Sequence, residues 1–446
     1  MSQKPTILCV NPWIHDFAAY DFWSKPLGLL SLAGLLRHHG CEVSYLDCTD
    51  RFHPRAGTPP DPVARFGRGP YRKSRLPKPA GLAHLPRHFC RYGIDPDWFL
   101  ADLRALPRPD LVLVTSIMTY WYPGAEETIR LIKQVFPRVP VILGGIYPTL
   151  CSDHAAANSA ADEIAVHSSE KDILPLVARH TGTDLVYDYD AEDTDTWPQP
   201  AFDLQNHINY IPLLTSRGCP FACPYCASSF LNPERSRRSP ARVVEDIEYW
   251  HHAFGVRDFV FYDDALLIDA ERHFVPLAER LIRKNLPLRF HTPNALHVGS
   301  IDSVTASLMK KAGFETIRLG LETAAFDRRL EFDAKVTGEE FFRAVNCLQQ
   351  AGFSRRQTGA YLLVGLPGQA LETVEASIGI VKEAGLTPIP AYYSPIPHTT
   401  LWPAAVACSP YDLEADPIFS NNAIFPCAPE DFSRATVTRL KELIAS

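Results

Sequence analysis

The stretch Thr215-Ser-Arg-Gly-Cys219-Pro-Phe-Ala-Cys223-Pro-Tyr-Cys226-Ala-Ser-Ser229 brings three of the chain's 11 cysteines within eight residues. It follows directly on the apolar segment 211–215, which is typical of a buried strand. From this strand to about residue 400, strand-like and helix-like segments alternate. Six such βα units predict a partial (β/α)6 TIM barrel over residues 210–400. Because the active sites of parallel barrels lie at the carboxyl ends of their strands, the cysteines stand where chemistry is expected.

The predicted strands of this barrel are short and apolar, and the helices between them carry apolar residues at helical spacing. The strands are 211–215, 258–262, 288–292, 316–319, 358–364 and 389–393. The helices are 240–254, 270–284, 301–312, 338–351 and 370–384. A short C-terminal extension, residues 401–446, ends in a predicted helix at 433–445.

The first 183 residues show the same alternation and predict a separate domain. Strand-like runs lie at 6–10, 42–47, 110–116 and 139–143, and helical patterns lie at 27–38 and 124–136. These segments predict an α/β domain of the doubly wound, Rossmann-like type. The stretch 184–209 is acidic and contains Pro198 and Pro200, so it is predicted as an inter-domain linker.

A Pro- and Arg-rich insertion, about residues 51–93, interrupts the N-terminal domain. Its composition predicts a long, solvated surface loop. A sharper alternative is a lid over an active site, or a contact for an anionic or peptide substrate.

Composition excludes several classes of protein. The net charge of −7 does not favour nucleic-acid binding. No apolar run is long enough to cross a bilayer, and the first residues lack the pattern of a signal peptide, so we expect a cytoplasmic protein. The cysteine count is odd, and a disulfide framework is not expected. Cys408 and Cys427 can pair, but nothing in the sequence requires it.

Three cysteines at this spacing indicate a metal centre. Zinc takes four protein ligands in structural sites, and a second Cys pair or Cys-His pair is missing nearby. An iron–sulfur cubane also takes four thiolates, so three leave one iron open to another donor. A zinc knuckle and a chance pattern remain the alternatives.

The segment resembles the signature of the radical SAM superfamily, C-x-x-x-C-x-φ-C, in which φ is aromatic and is Tyr225 here. The resemblance implies that Cys219, Cys223 and Cys226 hold a 4Fe–4S cluster whose open iron binds S-adenosylmethionine (SAM). In this family an electron from the reduced cluster breaks a C–S bond of SAM and gives a 5′-deoxyadenosyl radical. An electron donor such as flavodoxin or ferredoxin and a small-molecule or peptide substrate are implied as partners.

Later segments resemble further motifs of that superfamily in the order the family uses. The segments are Phe259-Val-Phe-Tyr-Asp263-Asp264, His291-Thr-Pro-Asn294, Arg318-Leu-Gly-Leu-Glu322-Thr323, Tyr361-Leu-Leu-Val-Gly365-Leu-Pro-Gly368 and Ser394-Pro-Ile396-Pro397. The SAM contacts that the resemblance implies are Tyr225, Tyr262, Asp263, Asp264, Asn294, Arg318, Glu322, Val364, Gly365 and Ile396. Two alternatives stay open. Asp263 and Asp264 can cap a helix before Ala265, and Arg318 with Glu322 can form a structural ion pair.

The N-terminal domain resembles the cobalamin-binding domain of the cobalamin-dependent radical SAM class. Ser116, Gly144 and Gly145 are the residues implied to approach the corrin's nucleotide tail. The Asp-x-His-x-x-Gly motif of cobalamin proteins is absent; His15 lies in the corresponding loop but does not match it. The alternative is a Rossmann-like domain that has lost its cofactor or binds substrate.

Cobalamin would imply one of two reactions, methyl transfer to an unactivated carbon or a radical rearrangement. A radical SAM enzyme without cobalamin and a non-catalytic metal-binding scaffold are the rival hypotheses.

Overall fold

The computed structural model describes residues 4–167, 170–183, 185, 188–326, 335–429 and 432–445. The chain forms two compact units. The first is Met1–Asn209 with Glu414–Ser420, and the second is Tyr210–Leu413 with Asn421–Ser446. Asp184, where the predicted linker begins, lies outside the described residues.

The first unit alternates strands and helices over most of its length. Its strands are β1 (Thr6–Asn11), β2 (Ile14–Asp16), β3 (Glu42–Asp47), β4 (Lys73–Arg75), β5 (Cys90–Tyr92), β6 (Leu111–Val114), β7 (Val141–Leu143) and β8 (Glu163–Ile164). Its helices are α1 (Leu27–His38), α2 (Pro96–Ala105), α3 (Tyr122–Val135), α4 (Ile146–Leu150), α5 (Ser152–Asn158) and α6 (Ile173–Thr181).

Five of these strands form a parallel sheet in the order β3-β1-β6-β7-β8. Side chains of β1 alternate between two hydrophobic cores: Leu8 and Val10 pack in one, and Ile7 and Cys9 pack in the other. A sheet that is covered on both faces is the doubly wound architecture, as predicted. The strand order reverses between β1 and β6, and ligands of such sheets bind at the carboxyl ends of the strands there.

The Pro- and Arg-rich insertion is more ordered than the predicted loop. Its strands β4 and β5 join β2 in a three-stranded antiparallel sheet, in the order β2-β5-β4. The prediction of a long surface loop therefore missed these short strands, although the β4 residues are exposed as a solvated segment would be. Each strand is only three residues long, which is too short for a period of two to stand out from the flanking prolines.

The second unit carries the remaining elements. Its strands are β9 (Ile211–Leu213), β10 (Ser216–Arg217), β11 (Ser236–Arg237), β12 (Asp258–Phe261), β13 (Arg289–His291), β14 (Leu296–His297), β15 (Phe314–Glu322), β16 (Thr358–Val364) and β17 (Thr387–Tyr392). Its helices are α7 (Ser228–Leu231), α8 (Pro240–Phe254), α9 (Phe274–Lys284), α10 (Ser303–Ala312), α11 (Gly338–Gln350), α12 (Leu371–Glu383), α13 (Trp402–Cys408) and α14 (Arg434–Ala445).

Six of its strands pair in parallel and in chain order, β9-β12-β13-β15-β16-β17, with β14 paired beside β15. Phe261, Phe290 and Phe314 come from three neighbouring strands and pack ring to ring, with centroids 5.4 to 5.8 Å apart. This order confirms the predicted partial (β/α)6 barrel. A membrane-crossing helix, which would have to be long and apolar, does not occur in the part of the chain that the structure describes.

The C-terminal extension holds more than the one predicted helix. It begins with α13, and its residues Glu414–Ser420 belong to the first unit. There Asp416 accepts a hydrogen bond from the Tyr122 hydroxyl, at 3.1 Å. No periodic pattern in the sequence marks so short a segment.

Candidate cofactor sites

The cysteine loop is closed at its base by a short antiparallel ladder. Just after β9, Ser216 pairs with Arg237 and Arg217 pairs with Ser236. Gly218 opens the loop with a φ of +75°, and a Cβ there would lie 2.9 Å from the carbonyl oxygen of Glu234. Only glycine fits a position with both properties. The loop therefore leaves the carboxyl end of the first barrel strand with a defined direction.

Asp263 anchors the same loop from the neighbouring strand β12. Its carboxylate accepts hydrogen bonds from the Thr215 hydroxyl at 2.6 Å, from the Ser216 hydroxyl at 2.7 Å and from the Thr215 backbone N–H at 3.2 Å. Burial raises the pKa of Asp263, although these hydrogen bonds oppose the shift. The side chain is almost fully buried, and its oxygens are engaged by the loop. This geometry gives Asp263 a structural role in place of the SAM contact expected for it, and the capping alternative does not describe it either.

The three cysteines are free thiols, each partly exposed. Cys226 accepts a hydrogen bond from the Ser228 backbone N–H at 3.5 Å, and the Sγ of Cys219 lies 3.6 Å from Nε2 of His297. Among the described residues, no three His, Cys, Asp or Glu side chains are arranged to hold a single metal ion. A cubane takes one thiolate at each of its ligated irons, so this donor set fits a 4Fe–4S cluster better than one zinc ion.

The surroundings of the cysteines are partly desolvated. Burial raises the pKa of the Cys219 and Cys223 thiols, and the positive charge of Lys335 opposes the shift at Cys223. Burial and the same lysine lower the pKa of His297 to about 4, so its ring is neutral at pH 7. The Phe221 ring packs on His297, with centroids 4.3 Å apart. The site therefore combines low polarity with the positive charge of Lys335.

Tyr225 and Glu322 lie together beside the cysteines. The Tyr225 hydroxyl is buried next to the Cys223 thiol and the Glu322 carboxylate, its possible hydrogen-bond partners, but no contact with the described residues has good hydrogen-bond geometry. Burial raises its pKa, and the nearby Glu322 and Cys223 raise it further. Glu322 ends β15 with a φ of +66°, an unusual conformation for a residue with a side chain. A buried hydroxyl with poorly aligned partners and a buried carboxylate in a strained backbone conformation are typical of a site that binds a polar ligand.

The other predicted SAM residues divide into two groups. Tyr262, Asp264 and Asn294 follow the carboxyl ends of β12 and β13, and Asn294 donates to the Tyr262 carbonyl at 2.6 Å. Burial raises the pKa of Asp264, and a hydrogen bond from Ser228 opposes the shift. These three residues lie on the same edge as the cysteine loop.

The second group follows β16 and β17. Val364 is the last residue of β16, and Gly365 has a φ of +87°. The Gly365 N–H donates to Oε1 of Gln369 at 2.8 Å, and Gln369 donates in turn to the Leu363 carbonyl at 2.8 Å. Ile396 lies past β17, where its carbonyl accepts from Thr399. The structure thus places this group, too, at the carboxyl ends of barrel strands.

Arg318 is held in the middle of β15, away from these ends. Its guanidinium donates to the carbonyl of Ile317 at 2.9 Å and to that of Gln357 at 3.4 Å. Gln357 precedes β16, so these bonds direct Arg318 to the amino-terminal side of the sheet. The SAM contact expected for Arg318 does not agree with this position. Glu322, its suggested ion-pair partner, pairs instead with Lys335, whose Nζ lies 3.2 Å from its Oε1.

A pocket lies at the strand-order reversal of the first unit. It is lined at the ends of β1, β3 and β6 by Asn11, Pro12, Trp13, Ile14, Ser24, Thr49, Ser116, Ile117 and Trp121. Ser116, one of the three residues predicted to meet a corrin, is among them. The cavity is small, about 20 Å³, so it does not enclose a ligand itself, but its position is the one at which ligands of such sheets bind.

Gly144 and Gly145 follow the neighbouring strand β7. Gly145 has a φ of +99°, and a Cβ there would lie 2.3 Å from the Ser116 carbonyl oxygen. A Cβ on Gly144 would meet only Ala165, at 3.7 Å. Gly145 is thus required by the fold itself, whereas the backbone at Gly144 is open to close approach.

The His15 side chain has a carboxylate partner within the first unit. Its Nε2 lies 2.8 Å from Oε2 of Glu127, although the N–H direction is not that of a straight hydrogen bond. Glu127 also pairs with Arg91. Burial alone would raise the pKa of Glu127, but these two partners outweigh it and lower the pKa to about 2. His15 is therefore a structural partner of a carboxylate in this fold.

Sequence reasoning missed three residues of the barrel site. Lys335 and His297 stand next to the cysteines, and Gln369 shapes the loop after β16. Lys335 precedes α11 and His297 ends β14, and neither falls in a recognisable motif. Only the contact of residues far apart in the chain reveals them.

Comparisons with protein families match a different family in each of the two units. The profile of the radical SAM superfamily matches residues 213–379, from the end of β9 into α12. The profile of the B12 binding domain matches residues 88–173, from just before β5 to the start of α6. The first match covers the barrel strands from β12 to β16, and the second covers β6 and β7 but not β1 or β3.

Three relatives from other organisms have sequences 22% to 26% identical to this chain. An uncharacterised methyltransferase of Pyrococcus horikoshii is 26% identical over 373 residues, 74% of this chain and 78% of that protein. The cytidylyl-2-hydroxyethylphosphonate methyltransferase of Streptomyces wedmorensis is 22% identical over 449 residues, 85% of this chain and 78% of that protein. The anaerobic magnesium-protoporphyrin IX monomethyl ester cyclase of Cereibacter sphaeroides is 25% identical over 301 residues, and the match spans 60% of this chain and about half, 48%, of the cyclase.

Two solved structures share the fold over most of the chain. TsrM from Kitasatospora setae, a radical SAM methyltransferase solved with tryptophan substrate and a SAM analogue, gives a TM-score of 0.65 at 17% identity, over 91% of this chain and 76% of TsrM. OxsB, a cobalamin-dependent radical SAM enzyme solved with aqua-cobalamin and SAM, gives 0.60 at 13% identity, over 99% of this chain and 61% of OxsB. At these identities the likeness is one of fold.

The chain therefore carries a radical SAM domain over residues 213–379 and, ahead of it, a B12 binding domain over residues 88–173. The predicted cofactors, a 4Fe–4S cluster, SAM and cobalamin, are those of the two matched families, and the prediction is confirmed at that level. The hypothesis of a non-catalytic metal-binding scaffold is set aside.

Proposed function

We propose that the enzyme transfers a methyl group from SAM to an unactivated carbon of a small organic substrate. The observation that carries this proposal is the presence, in one chain, of a cysteine loop at the first barrel strand and a B12-type sheet with a pocket at its strand-order reversal. Two relatives that match 74% and 85% of this chain carry the name methyltransferase, and so does the structural neighbour TsrM.

In the barrel, Cys219, Cys223 and Cys226 would hold the cluster, which supplies an electron to SAM when it is reduced. We assign Tyr225 and Glu322 to SAM. The buried hydroxyl of Tyr225 lies near Cys223 and Glu322 but has no hydrogen bond of good geometry among the described residues, and the Glu322 carboxylate can accept hydrogen bonds from a hydroxyl or ammonium group. Lys335 balances the Glu322 charge before SAM binds. Tyr262, Asp264, Asn294, Val364, Gly365 and Ile396 stay predicted contacts.

In the first unit, Ser116 and Gly144 would border the corrin, whose cobalt supplies a carrier for the methyl group. Gly145 holds the two strand ends together through its approach to Ser116. His15 is engaged by Glu127 and is not assigned as an axial ligand. A one-electron protein donor such as flavodoxin or ferredoxin is part of the proposal, as is a cytoplasmic location.

A second candidate is radical rearrangement or cyclisation, favoured by the similarity to the magnesium-protoporphyrin IX monomethyl ester cyclases. The two reactions consume SAM differently. Methyl transfer leaves S-adenosylhomocysteine together with 5′-deoxyadenosine, whereas a rearrangement leaves 5′-deoxyadenosine alone.

Product analysis therefore separates the two candidates. The protein would be produced with hydroxocobalamin, reconstituted anaerobically with iron and sulfide, and given SAM and a reductant. S-adenosylhomocysteine that depends on the bound corrin supports methyl transfer. Its absence alongside abundant 5′-deoxyadenosine would favour the rearrangement.

A further inference from the structure

Two cysteines outside the cluster loop contact the same backbone oxygen. Cys408 ends α13 and is exposed, while Cys427 is buried. The carbonyl oxygen of Ala405 lies 3.5 Å from the Sγ of Cys408 and 3.8 Å from the Sγ of Cys427. The two thiols also interact directly with each other, and a disulfide requires their sulfurs to approach to about 2 Å by rotation about the side-chain bonds.

The Cys427 thiol is buried next to the exposed Cys408. Burial raises the pKa of Cys427, and the adjacent Cys408 raises it further. The Tyr393 hydroxyl lies nearby, and burial and the two thiols raise its pKa. No metal site accounts for the pair, since the described part of the chain has no third ligand grouped with them.

The two cysteines flank a segment that belongs in part to the first unit. The residues between them are 409–426, and Glu414–Ser420 among these are counted in that unit. This stretch is well held there: Ile418 is buried, and Asp416 accepts from the Tyr122 hydroxyl. A covalent bond between Cys408 and Cys427 would therefore fix both ends of the segment at one point.

We propose that Cys408 and Cys427 are a redox modification site, at which a reversible disulfide closes residues 409–426 into a covalent loop. The oxidant is a small-molecule disulfide such as oxidised glutathione. The exposed Cys408 sulfur, as thiolate, attacks one sulfur of the oxidant, breaks its S–S bond and releases one glutathione thiol. The Cys427 sulfur then displaces the second glutathione. The two protein thiols lose two electrons and two protons, and the oxidant is reduced to two thiols.

The order of attack follows from exposure. Cys408 meets solvent, whereas Cys427 is buried and its raised pKa makes it a poor first nucleophile. Once Cys408 carries a glutathione, the Cys427 sulfur is its neighbouring thiol. The Cys427→Ser variant should therefore stop at the mixed disulfide, and the Cys408→Ser variant should hardly react.

The test uses the cluster-loaded enzyme under anaerobic conditions. The protein is incubated with oxidised glutathione, quenched with acid, alkylated and digested without reductant. Because no Lys or Arg lies between residues 408 and 427, trypsin leaves both cysteines in one peptide, and a protease that cuts at Asp is used. Iron is measured before and after, so that loss of the cluster is detected.

The expected result is one cross-linked pair of peptides joining Cys408 to Cys427, released by dithiothreitol, with the iron content unchanged. The matched control Cys347→Ser should behave as the wild type, since Cys347 lies in α11, outside the pair. A stable mixed disulfide on Cys408 in the wild type, or alkylation of both thiols without a cross-link, would overturn the proposal. Neither outcome bears on methyl transfer, which is measured separately.

Discussion

The two sheets of the molecule present carboxyl edges that are built in opposite ways. At the barrel edge, side chains form the site: three thiols from one loop, with Tyr225 and Glu322 beside them. At the edge of the N-terminal sheet, small polar and aromatic side chains such as Ser116 and Trp121 line the pocket, and the backbone of Gly144 is open to close approach. This difference indicates that an iron–sulfur cluster needs specific donor atoms from the protein, whereas a large organic cofactor needs a binding surface of matching shape.

Loss of a thiolate should have the largest effect. Cys223→Ala removes one cluster ligand, so we expect 5′-deoxyadenosine formation to fall at least ~10³-fold, because the protein cannot pass an electron to SAM without its cluster. The product is measured by chromatography and the iron by colorimetry. Cys347→Ala, outside the loop, is the matched control and should keep both. Substantial product from Cys223→Ala would remove the basis for treating the barrel edge as the radical site.

The pH dependence of protein stability tests the ion pairs of Glu127 in the N-terminal unit. Glu127 has a folded-state pKa of about 2, against 4.5 for an ordinary glutamate. Its folded pKa is depressed, so its stabilisation is fully present above pH 4.5 and is lost as the pH falls towards 2. Once screening by solvent is allowed for, we expect about 2 to 3 kcal/mol from this group. Glu127→Gln should be less stable than the wild type at pH 7, and thermal unfolding should show the gap closing below pH 4.5.

A gap that stays constant with pH would mean that His15 and Arg91 do not hold Glu127 ionised. His15 would then be free for another role at this edge. Glu126→Gln, on the same helix α3, is the control and should show no such closing gap.

Paired glycine variants distinguish fold from cofactor contact. Gly145→Ala forces an alanine into a φ of +99° with its Cβ against Ser116, so we expect a loss of about 1–3 kcal/mol in unfolding free energy. Gly144→Ala has room for its methyl group and should leave the unfolding temperature nearly unchanged. If the corrin lies on this backbone, Gly144→Ala should nevertheless lower the cobalamin content, measured from the visible spectrum. An equal loss of unfolding free energy in Gly145→Ala and Gly144→Ala would contradict the assignment of Gly145 to the fold and of Gly144 to cofactor contact.

The sequence was informative wherever a local pattern encoded the structure. The bounds of α1, α8 and β16 are those that the apolar spacing and the flanking Gly and Pro residues predict. The three cysteines predicted as cluster ligands share one contiguous motif, so the resemblance to the family signature identifies them as candidates, and their role as ligands stays a prediction. The strands β4 and β5 escaped prediction because three residues carry too little periodicity among many prolines.

The SAM site was only partly predictable, for a physical reason. A sequence motif predicts where a residue lies on a strand. It does not predict the hydrogen-bond or ion-pair partner of that residue, which comes from a distant part of the chain. Asp263 faces the base of the cysteine loop, and Arg318 bonds backbone carbonyls on the other side of the sheet. Lys335, which pairs with Glu322, comes from outside every motif.

The smallest of the four effects concerns Glu322 and Arg318. Glu322→Gln keeps the size of the side chain but loses its charge, so SAM affinity, measured by equilibrium dialysis, should fall about tenfold. Arg318→Ala should leave the affinity within about twofold, because its guanidinium is held by carbonyls of β15 and the turn before β16. The reverse ranking would show that Arg318, and not Glu322, contacts SAM.

The central claim is that one chain joins radical cleavage of SAM in its barrel to corrin-dependent methyl transfer at its N-terminal sheet. Its most direct test counts the two products of SAM, 5′-deoxyadenosine and S-adenosylhomocysteine, from anaerobically reconstituted protein with and without bound cobalamin. We predict 5′-deoxyadenosine in both preparations and S-adenosylhomocysteine only in the cobalamin-loaded one. S-adenosylhomocysteine formed equally without cobalamin, or 5′-deoxyadenosine no higher than in Cys223→Ala, would contradict the claim.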